Sequence, residues 1–199
     1  MFGAGYFARQ FFERYPDASC AGFVVDPEYR SSPEYTGLPV FTEVASLPVR
    51  HYVLGSGDLD HRIKIVTKAR EAGLQATAPF TDVARLVDRS ARVGEGCILG
   101  FGVTVEYDAE VGAHCLLMDR ALVAHGVRIG GNVILSPNVF VGRTAEIGSN
   151  TFIGANASIA PSVVIGENCH IAMGAACFKD VPADCTAIGS PARIVRTEP

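Results

Sequence analysis

The sequence predicts a small α/β domain followed by a long parallel β-solenoid, and three observations support this fold class. From Val93 to Ile171 an aliphatic residue stands at every sixth position, fourteen times in fourteen positions. A small or β-branched residue stands two positions before each of them, and glycine often follows directly after. Residues 1 to about 76 lack this period and alternate short apolar runs with helical stretches. A short fixed period is typical of a solenoid, in which each repeat buries its apolar residue against its neighbours.

The first 76 residues predict a small parallel sheet of Rossmann-like type, because predicted strands alternate with predicted helices. A glycine turn at Gly3 and Gly5 separates a two-residue strand end from a helix that runs to about Tyr15, and this short strand suggests that the true start lies upstream. The later predicted elements are strands at 20–26, 51–54 and 74–78, and a helix at 59–72 that ends at Gly73. Residues 77–90 are predicted to be a linker, and residues 91–199 a solenoid with a C-terminal tail.

Alternation along each short strand places the sixth-position residue and the residue two before it on the inner face of the solenoid. We expect the frequent glycine after each sixth-position residue to turn the chain at a corner with positive φ. Three of the six cysteines, Cys97, Cys115 and Cys169, occupy the small inward position. Buried free thiols are therefore predicted, which fits a reducing cytoplasm.

Composition narrows the function classes. The chain has 199 residues, of which 48% are hydrophobic and 19% charged, and its net charge is −4. This charge gives no reason to expect nucleic acid or an anionic membrane as a partner. The sequence contains neither a run of about 18 apolar residues nor a basic segment followed by an apolar one, so a cytoplasmic location is predicted.

Several segments together resemble one enzyme family. They are GAGYFAR at 3–9, GSGDLDHR at 55–62, the hexads, ALVAHGVRIG at 121–130 and FKDVPADCTAIGSPARIV at 178–195. The chain is similar over nearly its whole length to the sugar O-/N-acyltransferases of the sialic-acid O-acetyltransferase type, which include bacterial acetyltransferases of nucleotide-linked 4-amino sugars. The resemblance implies a nucleotide-sugar-binding α/β domain, a left-handed parallel β-helix, acetyl-CoA as donor, no metal, and a homotrimer with active sites between subunits.

Three hexads make one coil of eighteen residues, so almost five coils are expected between about 87 and 177. The outward residues then form three columns, one charged, one mixed and one apolar over four coils. An exposed apolar column usually marks an interface, so the apolar column is predicted to mediate trimerisation. The alternative is that the N-terminal domain or the C-terminal tail covers it. The columns are Arg92-Glu110-Arg128-Glu146-Val164, Thr104-Leu122-Phe140-Ser158-Ala176 and Ile98-Leu116-Ile134-Phe152-His170.

His125 is the candidate general base, because acetyl transfer to an amine requires removal of a proton and imidazole titrates near neutrality. It lies two residues after Val123, at a coil corner, and matches the catalytic position of the family. The alternative is an ordinary surface histidine. His114 and His170 occupy different places in the repeat, so the three histidines do not predict a metal site.

The resemblance places acetyl-CoA along the groove between neighbouring solenoids. There it would contact backbone amides around Gly142, Gly154, Ala155 and Ala172, although the glycines have a sufficient structural role without this contact. The cations best placed for the CoA phosphates are Lys179, Arg193 and Arg196. A solvated basic tail is the alternative for these three.

Gly3, Gly5 and Ala8, with Asp26 at the end of the next strand, resemble a weak dinucleotide fingerprint. A redox enzyme is excluded by size, because no second half exists to hold a nicotinamide. In the family this region binds the nucleotide of the acceptor, so Gly3 and Gly5 would lie near phosphate and Asp26 near the base or ribose. Asp58 and Arg62 are further candidates, with Arg62 as a phosphate partner.

Three positions depart from the family. Gly126 stands where an acidic residue usually follows the histidine, and Asp108 or Asp119, the latter from a neighbouring subunit, could supply the missing carboxylate. Ile134 and Phe7 stand where the family has histidines near the acceptor site. Because these apolar side chains cannot hydrogen-bond a hydroxyl or amine, we expect an acceptor with an apolar edge, such as a 4-amino-4,6-dideoxy sugar.

The sequence therefore predicts an acetyl-CoA-dependent N-acetyltransferase of a nucleotide-linked amino sugar for surface-polysaccharide synthesis. Two alternatives stay open, a sugar O-acyltransferase and a non-catalytic trimer that binds a nucleotide sugar.

Overall fold

A computed structural model describes residues 20–44, 47–77 and 86–195 of the chain. The chain divides into two compact units, Met1–Pro79 and Phe80–Pro199. The predicted turn and helix at residues 3–15, most of the predicted linker, and Arg196 lie outside the described residues. Within the described part, no helix is both long enough and apolar enough to cross a lipid bilayer.

In its described residues the first unit has two small sheets, a short 3-10 helix at Pro27–Tyr29 and one α-helix. Strand β1 pairs in parallel with β3, β2 pairs antiparallel with β3, and β4 pairs in parallel with β5. The two-residue turn between β2 and β3, Thr36-Gly37, has φ of +52° and +78°, as a type I′ hairpin requires. This hairpin was not predicted. The strands are β1 (Phe23–Val24), β2 (Glu34–Tyr35), β3 (Leu38–Phe41), β4 (His51–Tyr52) and β5 (Gln75–Ala76).

The helix of this unit, α1, spans Leu59–Glu71 and confirms the helix predicted at 59–72. Asp58 caps its N-terminus, since the Asp58 carboxylate accepts a hydrogen bond of 2.7 Å from the His61 backbone N–H. Gly73, just past the helix, has φ of +70°, as expected for a glycine that ends a helix.

The second unit is the predicted parallel β-helix. Fifteen two-residue strands form three parallel columns of five, and each strand pairs with the strand eighteen residues away, as Leu116 does with Ile134. The three columns are those predicted. The strands are β6 (Arg92–Val93), β7 (Ile98–Leu99), β8 (Thr104–Val105), β9 (Glu110–Val111), β10 (Leu116–Leu117), β11 (Leu122–Val123), β12 (Arg128–Ile129), β13 (Ile134–Leu135), β14 (Phe140–Val141), β15 (Glu146–Ile147), β16 (Phe152–Ile153), β17 (Ser158–Ile159), β18 (Val164–Ile165), β19 (His170–Ile171) and β20 (Ala176–Cys177).

Two further strands extend the apolar column. Strand β21 (Thr186–Ile188) pairs in parallel with β19, and β22 (Arg193–Val195) pairs antiparallel with β21. The inward side chains are almost completely buried, which gives the solenoid a continuous aliphatic core along its axis.

The glycines after the sixth-position residues do not have the predicted role. The positive φ angles fall two positions later, at all fourteen corners, and most of the residues there are not glycine. The early glycines are required because a Cβ would strike the next coil, as at Gly148, where it would lie 2.4 Å from the Glu167 nitrogen. The positive-φ residues are Gly96, Gly102, Asp108, His114, Arg120, Gly126, Asn132, Asn138, Thr144, Asn150, Asn156, Ser162, Asn168 and Gly174.

The trimer prediction assumed that the apolar column is exposed on the single chain. Three of its four apolar residues are instead buried. Ile98, Leu116 and Ile134 are only 3%, 2% and 1% exposed in the single chain. The low exposure of these three residues removes the observation from which trimerisation through this column was predicted. The mixed column carries exposed apolar surface instead, at Phe140.

The cysteines agree with the prediction of buried free thiols. Cys97, Cys115 and Cys169 are free and buried, and each thiol donates a hydrogen bond of 3.1 Å to a carbonyl oxygen of the next turn of the chain. Burial also raises the pKa of the Cys177 thiol to about 11, so this thiol stays protonated at neutral pH.

Candidate active site

His125 lies at the corner between β11 and β12, and its side chain is about one-third exposed. The neighbouring coils hold this corner by backbone hydrogen bonds. The Gly126 N–H donates to the Tyr107 carbonyl in the coil below, and the Thr144 N–H in the coil above donates to the His125 carbonyl. The imidazole is therefore presented to solvent from a rigid backbone.

The coil below brings two side chains against His125. One oxygen of Glu106, Oε2, accepts a hydrogen bond of 2.9 Å from the His125 backbone N–H and lies 3.4 Å from His125 Nδ1. The Tyr107 ring stacks on the imidazole, with ring centroids 4.9 Å apart and planes 1° from parallel. A carboxylate, an imidazole and an aromatic ring thus form one cluster, the His125 corner, that could accept and hold a proton.

The structure does not place either predicted substitute carboxylate on His125 within the chain. Asp108 lies at the same corner, but its contacts run through its backbone: its N–H donates to Ser90 Oγ and its carbonyl accepts from Arg128. The Asp119 carboxylate accepts from the Phe101 N–H at a different corner of the coil. The carboxylate that meets the imidazole belongs to Glu106, which the sequence analysis did not name.

The other solenoid histidines lie apart from His125, as their spacing predicted. His114 is at the corner after β9, 4.0 Å from Glu95, and His170 is on β19, where its ring contacts Phe152. Among residues 20–44, 47–77 and 86–195, no group of three His, Cys, Asp or Glu side chains could hold a metal ion.

Most of the backbone amides predicted to bind CoA already donate hydrogen bonds within the solenoid. The N–H groups of Gly142, Gly154 and Ala172 donate to carbonyls of the next coil at 2.8–2.9 Å. A Cβ on Gly154 would lie 2.5 Å from the Met173 nitrogen, so this glycine is required by coil stacking alone. These three amides therefore cannot donate to the pantetheine arm. The carbonyl of Ala155, the fourth residue of this set, accepts from the Gly174 N–H.

Two of the predicted CoA cations, Lys179 and Arg193, are exposed. Lys179 lies three coils above His125 at the same corner of the solenoid, since the two are 54 residues, or three repeats of eighteen, apart. Arg193 is on β22. Both stay candidates for the CoA phosphates.

Two of the predicted nucleotide-site residues make contacts that stabilise the first unit. Asp58 caps α1, as described above, and Arg62 is completely buried and donates a hydrogen bond of 2.8 Å to the Ser56 carbonyl. A side chain with no exposed surface cannot contact a phosphate without a rearrangement, so the prediction for Arg62 is not supported. Gly3 and Gly5 lie outside the described residues.

Asp26, in contrast, lines a cavity of about 350 Å³ within the first unit. The cavity lies at the carboxyl ends of the parallel strands β1 and β3, where α/β folds usually bind ligands, and beside α1. Asp26 forms an ion pair with Lys68 of α1. The cavity is lined by Val24, Val25, Asp26, Thr42, Glu43, Val44, His61, Lys64, Ile65 and Lys68.

Comparison with known proteins gives these sites a chemical context. Residues 144–178 match the bacterial transferase hexapeptide family (six repeats). A histidine-to-alanine variant of GDP-perosamine N-acetyltransferase from Caulobacter crescentus, solved in complex with CoA and GDP-perosamine, is similar with a TM-score of 0.88 and 25% identity, over 98% of this chain and 94% of that one. PerB from the same organism, also with CoA and GDP-perosamine, has a TM-score of 0.87 and 26% identity, over 98% and 95% of the two chains. The chain therefore has the repeat and the fold of acetyl-CoA-dependent acyltransferases.

The acetyltransferase domain of PglB from Neisseria gonorrhoeae is similar in fold, with a TM-score of 0.68 and 21% identity over 98% of this chain and 97% of that one. These neighbours are sugar N-acetyltransferases of the left-handed β-helix class. No match to the sequence was found among curated proteins.

Glu106 and Tyr107 are the residues of the candidate site that sequence reasoning missed. A usable signal existed, because Tyr107 stands eighteen residues before His125 and therefore directly below it. Applying the coil repeat to the corners, and not only to the strands, would have found both residues.

Proposed function

We propose that the chain is an acetyl-CoA-dependent N-acetyltransferase that acts on a nucleotide-linked amino sugar, with His125 as the general base. The observation that carries the proposal is the similarity to GDP-perosamine N-acetyltransferase over 98% of the chain, which includes both the α/β unit and the β-helix. The position of His125, exposed at a rigid corner with a carboxylate beside it, supports its role as base.

In the proposed reaction the neutral sugar amine attacks the thioester carbonyl of acetyl-CoA. As the C–N bond forms, the amine nitrogen becomes cationic, and the free nitrogen of the imidazole takes one of its protons. The tetrahedral intermediate then collapses, the C–S bond breaks, and the imidazolium protonates the departing thiolate of CoA. No net proton is lost, and His125 returns to its neutral form.

We assign the nucleotide of the acceptor to the cavity in the first unit. Its volume of about 350 Å³ suits part of a nucleotide, and it offers two carboxylates, Asp26 and Glu43, and two ammonium groups, Lys64 and Lys68. Guanine presents two adjacent N–H donors to a carboxylate, whereas uracil and thymine present one N–H between two carbonyls. A GDP-linked sugar is therefore the acceptor class we expect.

We also propose that the active form is a homotrimer, assembled through the mixed column and not through the column predicted from sequence. The mixed column carries Leu122 and Phe140, and large apolar side chains are exposed at the corners on its two sides, as at Phe101, Met173 and Phe178, which are 66–75% exposed. Apolar surface of this extent usually marks an interface.

Two assays test the function. Thermal shifts with GDP-, UDP- and dTDP-sugars identify the nucleotide, and release of the CoA thiol from acetyl-CoA reports transfer to each amino sugar. We expect GDP-sugars to stabilise the protein most. Of the two predicted apolar positions, Phe7 lies outside the described residues and Ile134 is buried. The expected 4-amino-4,6-dideoxy acceptor is therefore supported only by the similarity to GDP-perosamine N-acetyltransferase. We expect at least roughly tenfold higher kcat/KM for that acceptor than for its 6-hydroxy analogue.

The outcomes separate the alternatives. Thiol release with a sugar that has hydroxyl groups but no amine would indicate an O-acyltransferase. Binding of a nucleotide sugar without any thiol release would indicate a non-catalytic binding protein. Each result would refute the proposed N-acetyltransferase.

A further inference from the structure

We propose that Glu106 is the positioning residue of His125, and that it holds the proton on Nδ1 so that Nε2 is the atom that acts as base. This inference rests on the proposed function of His125 and extends it. It assigns to this chain a carboxylate that is contributed by the coil below the histidine and not by the residue after it.

The geometry favours one arrangement of protons. Glu106 Oε2 already accepts a hydrogen bond from the His125 backbone N–H at 2.9 Å, which fixes this oxygen beside the imidazole, and it lies 3.4 Å from Nδ1. An ionised carboxylate can only accept hydrogen bonds, so a neutral imidazole that faces it carries its proton on Nδ1. The lone pair of the neutral ring is then on Nε2, away from Glu106.

Two further contacts keep this arrangement in place. The Glu106 backbone N–H donates to the Val123 carbonyl at 2.9 Å, and the Gly126 N–H donates to the Tyr107 carbonyl at 3.1 Å, so the two corners are locked in register. The Tyr107 ring lies parallel to the imidazole and limits rotation of the ring. When the imidazole becomes cationic during the reaction, both the carboxylate and the face of the tyrosine ring stabilise the charge.

The side chains of Glu106 and His125 are 39% and 35% exposed, so water screens part of the attraction between them. The other charged or titratable groups at this corner of the described coils also contribute to any pH dependence. They are Asp88 and Arg89 two coils below, Tyr107 and Asp108 one coil below, Arg143 one coil above, and Lys179 and Asp180 three coils above.

Nitrogen-15 NMR of the imidazoles tests the inference without any need for activity. The chain has five histidines, and loss of one signal set in His125→Ala identifies His125. In the wild type we expect the Nδ1–H tautomer. In Glu106→Ala and in Glu106→Gln we expect a mixture of both tautomers, because no carboxylate then selects the proton on Nδ1.

Glu106→Gln is the sharper variant, because its side-chain oxygen can still accept from the His125 backbone N–H. We expect its melting temperature to match that of the wild type. Glu146→Gln, which neutralises an exposed glutamate on β15, is the matched control and should leave the tautomer unchanged. An Nε2–H tautomer in the wild type, or an unchanged tautomer in both Glu106 variants, would overturn the proposal.

Kinetics provide the second test. In Glu106→Gln we expect kcat to fall roughly 10- to 100-fold, the usual strength of a hydrogen bond to a charged group, with KM for acetyl-CoA unchanged. If His125→Ala retains its activity, the proposed base is wrong whatever Glu106 does. If only the Glu106 variants behave as the wild type, the base stands and the positioning role fails.

Discussion

The stacking of coils predicts that Gly154→Ala destabilises the protein strongly, although alanine is usually a mild replacement. A Cβ at this position would lie 2.5 Å from the Met173 nitrogen, where ordinary contact begins at 3.4 Å. Separating the two coils by the missing distance of about 0.9 Å would lengthen the Gly154 N–Ile171 O hydrogen bond from 2.8 Å to beyond hydrogen-bonding range. Overpacking together with this lost bond should cost about 2–3 kcal/mol.

Two matched variants separate this steric effect from the general effects of replacing glycine. Gly174 has φ of +69° and open space around a Cβ, so Gly174→Ala should cost only the left-handed strain of about 1 kcal/mol. Gly57 has open space and no positive φ, so Gly57→Ala should be neutral or slightly stabilising. We therefore expect the free energy of unfolding to decrease in the order Gly57→Ala, Gly174→Ala, Gly154→Ala.

Reversible urea unfolding, followed by circular dichroism at one protein concentration, measures this order. Alanine already occupies the equivalent position in other coils, at Ala124, Ala160 and Ala172, so the prediction concerns the local coil spacing and not the residue type. If Gly154→Ala is as stable as Gly174→Ala, the steric argument is wrong. If it is also stable but has a raised KM for acetyl-CoA, the original assignment of Gly154 to the donor site would be restored.

Three further predictions follow from the structure. His125→Ala should lower turnover by roughly 10²–10⁴-fold and leave CoA affinity and melting temperature nearly unchanged, as titration calorimetry and thermal unfolding can show. Phe140→Asp should reduce the sedimenting mass to that of a folded monomer, whereas Leu116→Asp, at a buried position, should unfold the chain; a wild-type monomer at micromolar concentration would refute the trimer. The guanidinium of Arg92 holds the pKa of Glu110 below its usual range, so this pair stabilises the fold at neutral pH and the benefit disappears as pH falls. The difference in melting temperature between the wild type and Glu110→Gln should accordingly shrink as pH falls below the ordinary glutamate pKa of 4.5, and a constant difference would contradict this.

The β-helix could be predicted from sequence because its core repeats. Each coil buries an aliphatic residue at the same positions, so a signal that is weak in one hexad recurs fourteen times. The assignment of strands to columns then follows from the repeat of eighteen residues. The first unit has no such redundancy. Its strands are mostly two residues long, and the hairpin at Thr36-Gly37 lacks the Asn-Gly or Asp-Gly sequence that usually marks this turn.

Burial of the apolar column could not be derived from the pattern. The period shows that Leu116 and Ile134 point outward from the solenoid, but it does not show whether other residues of the chain cover them. The pattern allows two explanations for the apolar column, cover by the chain itself and an interface between subunits, and the interface is the predicted one. The low exposure of both residues in the single chain favours the first interpretation.

The same limit explains why the partner of His125 was sought in the wrong places. Sequence reasoning followed the family pattern to Gly126, which has φ of +68° at the corner, and then considered aspartates. In a β-helix, however, residues about eighteen positions apart in sequence lie next to each other in adjacent coils, as close as residues that are neighbours in sequence. Glu106 is nineteen residues from His125, yet its carboxylate reaches both the backbone N–H and the ring of the histidine. The coil below can therefore supply a carboxylate that the adjacent position lacks, and the absence of an acid after the histidine does not by itself argue against catalysis.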